Sequence, residues 1–186
     1  MTSLTTSKRI LALDVRPRSF GYVVLEGPDQ LLDWGVRSYR KAGVDLRLRV
    51  KKSLRALLGD FVPSGLTFTE FQRRGSRRNA RLKRVFDAIR READKQGIPL
   101  RPVSRKAVQE AFAQLANATK HRIASVVAER YPELSWKLPP KRKPWQSEDY
   151  RMSIFDAAAL GVTYFERTAP KDSSAPPGNQ ALSQPT

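Results

Sequence analysis

Arg9-Ile10-Leu11-Ala12-Leu13-Asp14-Val15, followed across the polar turn Arg16-Pro17-Arg18-Ser19 by Phe20-Gly21-Tyr22-Val23-Val24-Leu25-Glu26, is the stretch on which the fold turns. Both runs are short and rich in Ile, Leu, Val and Tyr, the pattern of a β-hairpin. Asp14 stands where the first run gives way to the turn. A charge inside a buried strand costs more to desolvate than one packed side chain returns. At a strand end the same carboxylate can be half-exposed and hold a cation. The expectation is that the rest of the chain brings further carboxylates to Asp14.

Working outward, Gly27-Pro28-Asp29 has the composition of a turn, and residues 30–39 form a third strand, antiparallel to the second because so short a turn joins them. Asp33 within it reads as a solvated strand residue. Leu46, Val50, Leu54, Leu57 and Leu58 recur at helical spacing, giving an amphipathic helix that ends near Gly59. Leu66-Thr67-Phe68-Thr69-Glu70-Phe71 is a fourth strand, and the helical crossover before it makes it parallel to the first. Asp14 and Glu70 then share one end of neighbouring parallel strands, the edge where open α/β sheets place their sites. A basic loop, Arg73-Arg74-Gly75-Ser76-Arg77-Arg78-Asn79, enters a long helix with Leu82, Val85, Phe86, Ile89 and Ala93 on its buried face. Gly97 stops that helix, and residues 98–103 form a fifth strand whose two prolines favour a sheet edge.

Ser104 is placed to cap a further helix carrying Lys106, Val108, Ala111 and Phe112. After a break at Asn117, a second helix with Ile123, Val126 and Val127 closes at Tyr131-Pro132. Residues 138–144, with three prolines and three cations, form a basic connecting loop. The last element is a helix over residues 152–165, with Asp156 among small residues in Asp156-Ala157-Ala158-Ala159. The sum is one α/β domain over residues 9–167: a five-stranded mixed sheet, three antiparallel strands then parallel crossovers, flanked by helices. Residues 1–8 and 168–186 are expected to be a disordered N-terminus and a disordered tail.

With 186 residues the chain can bury one substantial core. Its 35 Lys and Arg against 18 Asp and Glu give a net charge of +17, which points to a polyanionic partner, DNA or RNA before a membrane surface. No apolar run approaches the roughly 18 residues a bilayer span needs, and residues 1–7 lack the apolar core of a signal peptide. The absence of cysteine excludes disulfides and thiolate metal sites and permits an intracellular location.

Asp14, Glu70 and Asp156 come from the first strand, the fourth strand and the closing helix. Singly, each has the ordinary reading of a cap, a turn residue or a surface charge. Together, planted in apolar segments of a basic protein, they point to chemistry. Hard divalent cations take oxygen ligands, and a few carboxylates with water and substrate phosphate suffice. Two such ions about 4 Å apart stabilise the attacking and leaving oxygens of an in-line phosphodiester displacement. That chemistry needs no histidine or cysteine nucleophile, and His121, the one histidine, reads as an exposed residue in the first turn of a helix.

Ile10-Leu11-Ala12-Leu13-Asp14 with Gly21-Tyr22-Val23-Val24, then Phe68-Thr69-Glu70, then Phe155-Asp156-Ala157-Ala158-Ala159-Leu160 resemble the signatures of RuvC-type Holliday-junction resolvases, in the RNase H-like superfamily. The resemblance spans about residues 9–167 in the order of elements. It implies an RNase H-like fold and an endonuclease that cuts branched DNA by a two-metal mechanism, with two Mg2+ ions (Mn2+ substituting) held by Asp14, Glu70 and Asp156. It also implies a homodimer and a cytoplasmic, nucleoid-associated protein of DNA recombination and repair. Lys106 and Lys120 resemble basic residues that approach the phosphate in that family. Two positions depart from its pattern. Val15-Arg16 stands where the family usually has Pro-Gly, and Ser153 where it usually has a carboxylate or histidine. Asp149, two helical turns before Asp156, is the candidate substitute ligand if the helix reaches back that far. A charge interacting with the helix dipole is its other reading, and Glu148 is expected to face more sideways.

Arg73, Arg74, Arg77 and Arg78, with Lys106 and Lys120, are the candidate nucleic-acid contacts, since the arginines follow Glu70 closely; a merely solvated face is the plainer reading of such a run. Trp34, Trp136 and Trp145 read first as core. Trp136 and Trp145 flank the Pro/Lys-rich loop, so base stacking is the second reading. Besides the junction nuclease, the sequence admits a structured-RNA nuclease on the same fold, resembling the pre-ribosomal RNA processing relatives. It also admits a non-catalytic nucleic-acid binder that has lost the metal site. A two-domain, actin-like phosphotransferase is disfavoured by length.

Overall fold

The computed structural model describes residues 8–39, 46–70, 77–115 and 118–169. The hairpin forms as its apolar pattern demands: β1 (Arg9–Val15) and β2 (Ser19–Glu26) pair antiparallel, with Asp14 opposite Gly21 and Val15 opposite Phe20. β3 (Gln30–Ser38) pairs antiparallel with β2, its register shifting between Val24 and Leu25. α1 (Leu46–Phe61) crosses over to β4 (Gly65–Thr69), which runs parallel to β1 with Phe68 beside Leu13. α2 (Arg77–Lys95) leads to β5 (Leu100–Val103), parallel to β4. The sheet order is β3-β2-β1-β4-β5, so β5 is an edge strand as its prolines require. α3 (Arg105–Ala111), α4 (Lys120–Arg130), a short 3-10 helix (Pro132–Lys137) and α5 (Met152–Thr168) complete the chain.

Strand alternation divides the core in two. Leu11, Leu13, Phe20, Val24, Leu66 and Phe68 face α1 and α2. Ile10, Ala12, Val23 and Leu25 face the opposite layer, where α5 lies between the sheet and α4. The result is three layers, helices on both faces of a mixed sheet. α5 is buried from Met152 to Tyr164 except at Asp156, which is half-buried. It can lie so close to the sheet because Gly21 has no side chain: a Cβ there would come within 2.2 Å of the Ser153 carbonyl oxygen. Gly97, at φ +65°, ends α2 in the left-handed conformation that suits glycine, and Ile98 N–H returns to the Ala93 carbonyl.

Boundaries differ where local signals compete with packing. α1 continues past Gly59 to half-buried Phe61, and β4 ends at Thr69, so Glu70 lies just beyond the strand. β5 starts at Leu100, since Pro99 has no N–H to add to the ladder. α5 runs on to Thr168, past the boundary expected for the tail. The 3-10 helix was not expected; it places Leu134 in the core directly after the α4 cap at Tyr131. Residues 1–7 and 170–186 lie outside the described residues.

Candidate active site

Asp14 shares a face with Ile10 and Ala12, and therefore looks toward α5. Asp156, on the first turns of α5, meets it there. Arg16 is two residues beyond Asp14 and so falls on the same side. Its guanidinium spans three carboxylates: Nε donates to Asp14 Oδ2 at 2.6 Å, Nη2 to Asp156 Oδ2 at 2.9 Å, and Nη1 approaches Glu148 Oε2 at 3.0 Å. Lys120, first residue of α4, donates to Glu148 Oε1 at 3.0 Å and to Asp156 Oδ2 at 2.9 Å. Three acids and two cations thus interlock at the carboxyl end of β1, beside a cavity of about 650 Å³ lined by Asp14, Asp156, Lys120, Thr69 and Arg105.

The backbone under Arg16 is fixed. Its N–H donates to the Ser19 carbonyl at 2.9 Å, the Tyr39 hydroxyl lies against the carbonyls of both Arg16 and Ser19, and Arg81 Nε donates to the Pro17 carbonyl at 2.7 Å. The freedom that remains at Arg16 is in its side chain. Electrostatics mark Asp14 as the strained member: burial, then the nearby Asp156 charge, raise its pKa to about 6 despite Arg16 and Lys120. Glu148 goes the other way, held below its ordinary value because Lys120 and Arg16 outweigh the cost of its burial.

The expected site residues divide. Asp14 and Asp156 come together. Glu70 has its backbone N–H bonded to Val103 O at 2.9 Å, but its side chain is exposed and makes no ion pair with a described residue. Alternation along β4 explains this, since Thr69 and not Glu70 falls on the Asp14 face. Asp149 is not brought to the cluster: Arg151 takes both its oxygens, at 3.0 and 2.7 Å, because α5 begins only at Met152 and no helical spacing links Asp149 to Asp156. Glu148 joins instead. Lys106 is on the outer face of α3, 86% exposed and paired with Glu110, while Arg105 reaches the cavity. Lys120 is in the cluster. Arg73 and Arg74 lie outside the described residues, as do the side chains of Arg77 and Arg78. His121 is half-buried, its Nε2 3.0 Å from the Pro139 carbonyl. Asp33 accepts the Tyr22 hydroxyl at 3.0 Å rather than being merely solvated. Trp34 packs against the core, but Trp136 and Trp145 are exposed, against the core reading. Arg16 was missed, and Glu148 was ranked behind Asp149. The period of two from Asp14 was a usable signal for Arg16, whereas Glu148 sits in an irregular segment where no periodicity applies.

Carboxylate oxygens suit a hard divalent cation, and the cluster is built around positive charge. As folded, that charge is supplied by Arg16 and Lys120. Among the described residues no three acidic or histidine side chains form a group that could hold a metal ion. The donor chemistry fits, and the guanidinium lies where Asp14 and Asp156 converge.

The fold is that of the RuvC-like resolvases, with their five-stranded mixed sheet flanked by helices. Among solved structures the chain is similar to Thermus thermophilus RuvC in complex with a Holliday junction substrate, at 18% identity over 87% of this chain and 96% of that one, with a TM-score of 0.65. It is similar also to the yeast mitochondrial Holliday junction resolvase Ydc2, at 15% identity over 88% and 82% of the two chains, TM-score 0.57. A Fowlpox virus resolvase bound to Holliday junction DNA matches at 11% identity over 87% and 99%, TM-score 0.50. No family model and no curated protein sequence matches the chain. Among the described residues no helix is long and apolar enough to cross a membrane.

Proposed function

We propose that this chain is a divalent-metal-dependent endonuclease that hydrolyses phosphodiester bonds in branched DNA. The observation that supports it most is the meeting of Asp14, Asp156 and Glu148 with Lys120 beside an open cavity, in a strongly basic protein whose structural neighbours are Holliday junction resolvases. In this reading Asp14 and Asp156 would hold Mg2+ or Mn2+, with Glu148 as a further oxygen donor, and Glu70, exposed just beyond β4, would have to turn toward them to join. The metal, when bound, stabilises charge on the attacking and leaving oxygens. Arg16 releases the carboxylates by side-chain rotation, since its backbone is pinned, and its guanidinium is then free to meet a phosphate. Lys120 orients the scissile phosphate from the other side. A homodimer would match the two-fold symmetry of a four-way junction, and light scattering tests it.

The seating of Arg16 between the acids favours a second reading, a non-catalytic binder in which an internal cation has replaced the metal. One experiment separates the two. Purified protein is incubated with a four-way junction and Mg2+ or Mn2+. Cleavage that is lost in Asp14→Asn establishes the nuclease. Junction binding without cleavage under either metal leaves the binder.

A further inference from the structure

Residues 137–146 contain Lys137, Lys141, Arg142 and Lys143 and no acid. At their far end Lys143-Pro144-Trp145-Gln146 forms a closed turn, with Gln146 N–H donating to the Lys143 carbonyl at 3.0 Å. Proline in the second position suits such a turn. Lys143 N–H donates to Gln146 Oε1 at 3.0 Å, and Arg142 Nη1 to the Gln146 carbonyl at 2.9 Å. These bonds hold Trp145 at the tip, where it is 78% exposed, although an indole in a soluble protein ordinarily gains by burial. The loop base is fastened to α4 through His121 and the Pro139 carbonyl. Between loop and α4 runs a second cavity of about 640 Å³, lined by Lys141, Arg142 and Trp145 and also by Glu148 and Asp149, whose charges are met by Lys120, Arg16 and Arg151. It shares Thr119 and Lys120 with the cavity of the acidic cluster, so the two adjoin at the start of α4.

We infer that this groove binds unpaired nucleotides of the nucleic-acid substrate, a base stacking on Trp145 while Lys141 and Arg142, on its lining, and the neighbouring Lys143 meet the phosphates. Its direction, from Trp145 past Lys120 to Asp14 and Asp156, rests on the proposed function; binding itself requires no cleavage. The interior of a duplex does not offer a base face to an indole, whereas a branch point or single strand does. An aromatic platform with flanking cations is the arrangement by which single strands are held without sequence preference. Trp136 is the poorer platform, because Lys137 lies 3.9 Å over its ring and Trp34 packs edge-on against it, whereas the cation over Trp145, Lys143 Nζ, stands farther off at 5.6 Å.

The test uses the full chain without metal, with oligo(dT) and a blunt duplex as probes. Oligo(dT) should quench tryptophan fluorescence, and Trp145→Ala should weaken its binding about tenfold or more. Duplex affinity should change little, and Trp145→Phe should recover most of the loss. Equal oligo(dT) affinity in wild type and Trp145→Ala overturns the assignment, as does failure of the wild type to bind oligo(dT). Junction cleavage measured on the same preparations reports the nuclease reading separately, so either can fail while the other stands.

Discussion

Replacing Arg16 with Gln removes the guanidinium from among Asp14, Asp156 and Glu148 and leaves Lys120 as the one cation in contact with Glu148 and Asp156. The side chains involved are 14 to 33% exposed, so the cluster is neither dry nor freely solvated. Removing one partner of a fully buried pair costs about 3–5 kcal/mol; partial solvation brings the expectation to roughly 2–3 kcal/mol. The same substitution vacates the position between the carboxylates. Two unit charges 4 Å apart exchange about 4 kcal/mol at an effective dielectric of 20. A tenfold gain in Mn2+ affinity, about 1.4 kcal/mol, is therefore a conservative expectation. Urea unfolding and Mn2+ calorimetry on the two proteins measure both quantities. Arg16→Gln should lose stability at neutral pH without metal and recover about 2.7 kcal/mol at a metal concentration a hundredfold above its Kd. Equal stability and equal Mn2+ affinity in the two proteins would refute the claim that the guanidinium and the metal compete for one place.

Asp14→Asn should abolish junction cleavage yet stabilise the metal-free protein. The folded pKa of Asp14 is about 6 against an ordinary 3.8, so its ionisation opposes folding above that window. The advantage of the variant should reach about 3 kcal/mol at pH 7 and vanish as pH falls from about 6 to about 4; a difference independent of pH in urea titrations would contradict this. Gly21→Ala should cost about 1–3 kcal/mol, by overpacking against the Ser153 backbone, and reduce cleavage by displacing Asp156; thermal unfolding and junction assays check it. Lys120→Gln should weaken metal-free junction binding and lower the slope of log affinity against log salt by about one, measured by fluorescence anisotropy.

Strand order, the parallel β1–β4 pair and the edge position of β5 were legible because each rests on short-range signals: alternation, turn length and proline. Asp14 was legible for the same reason, as a charge ending an apolar strand. Asp156 stood out as an acid in an otherwise buried helix. Glu70 marks the limit of that reasoning. Its place in the chain is right for the sheet edge, but alternation along β4 puts Thr69, one residue earlier, on the Asp14 face. Asp149 lies apart from the cluster, paired with Arg151, because the spacing argument needed helix before Met152 and the chain there is irregular. Arg16 reads as an ordinary turn cation; the period of two from Asp14 gives its side of the sheet, but its reach to a residue 140 positions away comes from tertiary packing.

That separation has a bearing on how the protein comes into being. Asp14 belongs to the first strand and Asp156 to the last helix, so neither half of the cluster exists alone. The long stretch between them must close before the acids meet, at a cost in chain entropy. On the proposed reading, a chain caught partway would be a polycation without its cutting site. Scission, where it occurs, would certify that the whole domain has assembled.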